Sequence, residues 1–142
     1  MARPNQPILC LKAAVSKRLK EMYPDVKVYD EQIKQHLADE NFVLFFAPSE
    51  NRKVSDVRYQ MTGSLDIAYI VRDDKDEAKL KTMFQQKWQE ITTGMQNLTY
   101  QIATGNVARF RFQNFTQQEA DNVLHILCST TIQYIVEEED GQ

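Results

Sequence analysis

The residues Tyr59 to Val71, YQMTGSLDIAYIV, alternate between apolar and polar with a period of two. Their odd positions are apolar except for Gly63, and their even positions are mostly polar (Gln60, Thr62, Ser64, Asp66). A period of two over about a dozen residues predicts a long strand with one buried face. The same alternation returns in Leu124 to Val136, inside a last long strand placed at Val123 to Val136. Phe42 to Ala47 (FVLFFA) is apolar at both parities, which predicts a central strand covered on both sides and stopped by Pro48. Shorter alternations predict strands at Val26 to Tyr29, at Leu98, Tyr100 and Ile102, and at Val107 to Phe112.

Helical spacing appears twice. Ile8, Leu11, Val15, Leu19 and Met22 are 3, 4, 4 and 3 residues apart, one stripe of a helix over Pro7 to Met22. Lys12, Lys17, Arg18 and Lys20 fall mostly off that stripe, as a solvated face. Pro7 suits a first helical turn, and Tyr23-Pro24 ends the helix. Asp76 to Thr92 is the second helix, with Leu80, Met83, Phe84, Trp88 and Ile91 as its buried stripe. Among Asp73, Asp74 and Asp76 is an N-cap candidate. The segments between are polar: Asp30 to Asn41 as a helical turn or loop, Ser49 to Val57 as a long hairpin loop, TQQEADN as a turn, and EEEDGQ as an acidic tail. The order α-β-β-β-α-β-β-β predicts an α+β fold: a mostly antiparallel sheet with two main helices packed on it, within a single domain over residues 1–142. Long strands with few charges and no proline, Tyr59 to Val71 and Val123 to Val136, would leave edges for neighbouring subunits to cover.

Composition narrows the chemistry. A chain that is 42% apolar and 26% charged is ordinary for a globular protein. A net charge of −3 gives the whole chain no nucleic-acid footprint. No signal peptide and no apolar run near the ~20 residues of a membrane span is visible, so the expectation is assembly in the cytoplasm without a membrane partner. Cys10 and Cys128 sit among apolar residues and read as buried free thiols. His36 and His125 lack a partner at metal-ligand spacing. Four glycines make no phosphate-binding loop, and no GxSxG occurs. The carboxylate clusters Asp73/Asp74/Asp76 and Glu137 to Asp140 have structural explanations at a helix start and a tail. The reading is no catalytic residues, no metal and no cofactor. Arg109 and Arg111 alternate with Phe110 and Phe112, which puts rings and guanidiniums on opposite faces, whereas a base-stacking platform needs both on one. The arginines are left as a charged surface facing a protein partner or a DNA channel. Arg52, Lys53, Asp56 and Arg58 lie in or beside the polar loop, and with Arg109 and Arg111 they are the assembly-interface candidates.

Three stretches together carry a family resemblance: VKVYDEQIKQHLADENFVLFFAPSENRKV, RYQMTGSLDIAYI and VLHILCSTTIQYIVEEED. In order and pattern, over most of residues 8–140, the chain resembles the small tail terminator proteins of long-tailed phages, prophages and contractile phage-tail-like particles. It differs in Glu40-Asn41-Phe42, where the family strand begins Pro-Cys-Phe, and in a longer stretch from Thr99 to Asn122. The resemblance implies a virion structural protein. It would form a ring with itself, typically six-fold, on the head-proximal end of the tail tube. It would stop polymerisation there and meet the tube protein, the sheath or the head–tail connector, with DNA at most passing non-specifically through the lumen. Another head–tail joining protein is the alternative of the same class, and a single-stranded nucleic-acid binding module the alternative of a different one.

Overall fold

The computed structural model describes residues 6–30, 38–72, 76–103 and 106–136. Helix α1 (Pro7–Met22) leads to β1 (Lys27–Asp30), β2 (Glu40–Lys53) and β3 (Arg58–Val71). Helix α2 (Glu77–Gly94) then leads to β4 (Asn97–Ala103), β5 (Asn106–Ala120) and β6 (Val123–Ile135). The strands form one six-stranded sheet in the order β1-β2-β3-β6-β5-β4. Only β1 and β2 are parallel. The α+β architecture expected from the hydrophobic pattern is the one found.

Both helices pack on one face of the sheet. Leu11, Val15 and Leu19 of α1 and Phe84 and Ile91 of α2 are buried there with Phe42, Leu44, Leu65, Ile67, Tyr69, Phe110, Leu124, Ile126 and Ile132 from the strands. Ile8, Leu80 and Trp88 pack against the same cluster while partly exposed. The helix periodicity therefore chose the right face in each case, although Trp88 lies at its margin. Asp76 caps α2, its Oδ1 accepting from Lys79 N at 2.8 Å. Asp73, Asp74, His36, Thr104, Gly105 and the residues from Glu137 onward lie outside the described residues.

Four expectations need correction. The long strands β3 and β6 are not edges: β3 lies between β2 and β6, and β6 between β3 and β5. Alternation reports one covered face and is silent about lateral neighbours. Pro48 does not stop β2, which runs on to Lys53 through a register shift between Pro48 and Glu50. Pro48 lies past the end of the β1 pairing and at a bulge, the two settings in which a strand tolerates proline. The polar stretch from Ser49 is thus largely strand, with its turn closed by Val54 N and Ser55 N donating to Arg58 O at 2.8 and 3.2 Å. Likewise the first part of TQQEADN is the end of β5, and only Asp121 and Asn122 make the turn. Residues 116–120 are exposed on both faces, so no alternation marks them, and the ladder to β6 alone holds them extended.

Gly63 is the one gap in the apolar alternation of β3 for a steric reason. A Cβ there would come within 2.5 Å of both the Ala47 carbonyl oxygen and Phe46 Cζ. The Phe46 ring occupies the space a side chain would need.

Candidate assembly surface

The second face of the sheet carries no helix from this chain, and its chemistry changes along the strands. Directly paired residues share a face, so the register defines its rows. At one end lie Val43, Ala68 and Ile70, all buried, with Tyr29, Phe45 and Val123 packed beside them. Ser64 and Ser129 pair in the middle. At the other end Arg52, Gln60, Gln133 and Arg109 make one row across β2, β3, β6 and β5. Arg111, opposite Thr131, is in the next row on one side, and Arg58, opposite Ile135, in the next on the other.

Four arginines from three strands therefore share one end of one face, and all four are exposed. None has a carboxylate within 4.0 Å among the described residues. Glu50 is the only acid in their rows, and Asp56 sits in the adjoining turn. Arg58 and Arg109 line a common concavity of about 330 Å³ with Gln60, Gln133 and Val54. Phe110 and Phe112 point to the helix-covered face and are buried. The alternation in VARFRF thus separates its own rings from its guanidiniums, as its period requires, and the rings at the concavity are instead Tyr59 and Tyr134.

The six candidate positions do not form one cluster. Lys53 pairs with Tyr59 on the opposite face, where the Tyr59 and Tyr134 rings stack at 5.7 Å. There Tyr134 Oη donates to Asn51 Oδ1 at 2.9 Å. Asp56 is exposed in the turn.

Sequence reasoning missed the buried polar groups. Lys12 and Lys87 are both buried, Lys12 from outside the apolar stripe of α1 and Lys87 from the flank of the stripe of α2. Lys12 Nζ meets Asp30 at 2.7 Å. Lys87 Nζ lies 3.8 Å from Glu40 Oε1 and over the rings of Tyr23 and Tyr69, 4.7 and 5.0 Å from their centroids. Tyr69 donates to Glu40, and Tyr23 donates to Glu90 Oε1 at 2.5 Å. Burial, then the hydrogen-bonded carboxylate, pushes both phenols well above their ordinary range. The only available signal was Lys87 at i+3 from Phe84, on a face where long aliphatic stems also pack.

On the second face Asp66 Oδ2 meets His125 Nδ1 at 2.9 Å, so this histidine is a satisfied one. Asp66 Oδ1 is buried without a partner. Burial raises the Asp66 pKa, against the lowering effect of His125. Cys10 and Cys128 are both free, but only Cys128 is buried as expected and Cys10 is partly exposed; desolvation raises the pKa of each, that of Cys128 to about 11, so neither is an activated thiolate. Among the described residues no group of His, Cys, Asp and Glu is placed to hold a metal ion, and no helix is long and apolar enough to cross a membrane.

A sequence profile described as phage tail terminator protein matches residues 11–142, nearly the whole chain. The chain belongs to the phage tail terminator family. No curated protein is significantly similar to it. One solved structure is similar at 20% identity and a TM-score of 0.47, over 90% of this chain and 96% of the other. Membership makes the protein a component of a phage tail or tail particle, with a terminator role and with other tail proteins as its partners.

Proposed function

We propose that this protein acts as one domain that assembles into a ring, six-fold as the family resemblance implies, at the head-proximal end of a tail tube. The ring stops tube and sheath polymerisation and presents the surface to which a head connector or cap joins. It acts without catalysis, in a particle assembled in the bacterial cytoplasm. The family match over residues 11–142 carries this reading. The arginine end of the second sheet face supports it: it is exposed and short of acidic partners among the described residues. A ring needs two different patches on each subunit that meet across a closing rotation. We assign the arginine end to one of them.

Deleting the gene tests the proposal. The expected result, read by negative-stain microscopy, is tubes of uncontrolled length that join no head or cap, with normal length restored by the wild-type gene in trans. Uniform, complete particles of normal length from the deletion strain would refute it. With purified tube protein, a ring density at one tube end is expected.

A further inference from the structure

We infer that the arginine end of the second sheet face receives the acidic segment Glu137–Asp140 of a second copy of this chain. The inference rests on the ring reading and names the partner of one of its two patches.

The receiving surface is built from residues on β2, β3 and β5, with β6 lying between β3 and β5. Arg52, Arg58, Arg109 and Arg111 share a face, and the register places them within three successive rows. Their surroundings among the described residues are mostly amide, hydroxyl and aliphatic (Gln60, Gln133, Thr131 and Ile135), with Glu50 the single acid in their rows. A guanidinium in such a setting matches a carboxylate through paired N–H donors. An exposed base would need a free ring to stack on; the aromatic residues of β5 face the other way, and the two rings at the concavity, Tyr59 and Tyr134, are stacked on each other. The surface therefore favours a run of carboxylates over a nucleic-acid strand.

The chain supplies such a segment. Glu137, Glu138, Glu139 and Asp140 are its longest run of acids, and their four charges exceed the whole net charge of −3. Without them the rest of the molecule is slightly basic.

Where the last strand ends decides between its own tail and a neighbour's. Arg111 stands opposite Thr131, Arg109 opposite Gln133 and Arg58 opposite Ile135. Val136 N still donates to Val57 O at 2.8 Å, so the chain is extended as it leaves the sheet. At roughly 3.3 Å per residue, the acidic run starts about 20 Å beyond the Arg111 row. Coming back to that row would take a reversal and then about six more residues. The run reaches only Asp140, so its own acids can approach Arg58 but not Arg111. An adjacent subunit's tail, entering from outside, can meet all four.

The test is sedimentation velocity over a concentration series at low and high salt, with and without tube protein. The variants are a neutralised tail (Glu137→Gln, Glu138→Gln, Glu139→Gln, Asp140→Asn), a reversed face (Arg109→Glu with Arg111→Glu), and a swap that adds lysine at positions 137–140 to the reversed face. Circular dichroism confirms the fold of each. Self-association is expected to weaken at least tenfold in the neutralised tail and in the reversed face, to recover in the swap, and to fall steeply with salt in the wild type. Wild-type rings with an unaffected neutralised tail overturn this inference and leave the ring reading standing. A swap that stays as weak as the reversed face also overturns it. A wild type that remains monomeric at every concentration, even on tubes, overturns the ring reading and this inference together.

Discussion

Replacing Gly63 by alanine tests the packing of the central strand pair. Gly63 pairs with Pro48, next to the β2 register shift. The added methyl group would lie 2.5 Å from the Ala47 carbonyl oxygen, 2.5 Å from Phe46 Cζ and 2.9 Å from Phe46 Cε1. The ring can swing aside, at the cost of contacts in a site where Phe46 is now only 9% exposed. The carbonyl cannot move without shifting the backbone. Overpacking of this kind costs about 1–3 kcal/mol. Lower chain entropy in the unfolded state offsets about 0.4–1 kcal/mol of that. A net loss of about 1–2 kcal/mol is expected, or roughly 3–7 °C in Tm for a chain of this size. Urea denaturation and calorimetry of Gly63→Ala measure it. Adding Phe46→Leu removes the ring clash but not the carbonyl clash, so it should not rescue Gly63→Ala fully. Ser64→Ala, at the exposed neighbouring position, should fall within about 0.5 kcal/mol of wild type. A Gly63→Ala protein as stable as wild type would mean that Phe46 and Ala47 do not approach β3 this closely, and the pairing around Pro48 would have to be redrawn.

Two further perturbations probe the buried charges. Lys87→Met keeps the aliphatic stem but removes the cation from between Tyr23 and Tyr69; each ring contact contributes about 0.5–1 kcal/mol, so a loss of about 1–2 kcal/mol is expected by chemical denaturation. The ion pair adds little, because the Glu40 side chain is 35% exposed, and a Met variant more stable than wild type would show that desolvation of Lys87 outweighs its contacts. Asp66 gives a pH signature of unusual sign: its pKa is raised in the fold, so the folded state holds the proton more tightly and the group's favourable contribution is lost as pH rises. Between about pH 3.5 and 5, wild type should lose stability relative to Asp66→Asn as pH increases, and a relative gain over that interval would contradict the burial of this carboxylate.

The sequence was most legible where one face of an element is covered by apolar partners. Ile67, Tyr69, Ile126 and Ile132 recur at period two because two helices lie over them, and Leu11, Val15 and Leu19 recur at helical spacing for the matching reason. It was least legible where the backbone alone sets the structure. Residues 116–120 are strand through their ladder to β6, and nothing in Thr116, Gln117, Gln118 or Glu119 announces it. Asn114 and Asp121, both at positive φ, mark the bulge and the turn that frame that segment, and these residue types are the ones that tolerate it. Asp66 was read as an exposed polar position because alternation cannot tell a solvated face from one whose side chains are half-buried among Phe45, Leu127 and His125. The arginine grouping was only half visible: Arg109 and Arg111 are neighbours in sequence, but Arg52 and Arg58 join them through a register that is set two strands away.

The same non-local pairing changes how subunit contacts should be sought. With β3 and β6 interior, the open sides among the described strands are those of the short β1, of β4, of β2 beyond Leu44 and of β5 beyond the β4 pairing. The β2 edge carries Pro48, a bulge, Arg52 and Lys53, and the β5 edge is bent at Asn114. These are the devices by which strands resist pairing with another chain. Long edges waiting for a neighbour's strand are therefore a poor basis for expecting a ring in this protein. Charged side chains that stand exposed on a sheet face, with too few acids around them, are a better one. On that ground salt should weaken the assembly more than mutations that lengthen or flatten the β2 edge would strengthen it.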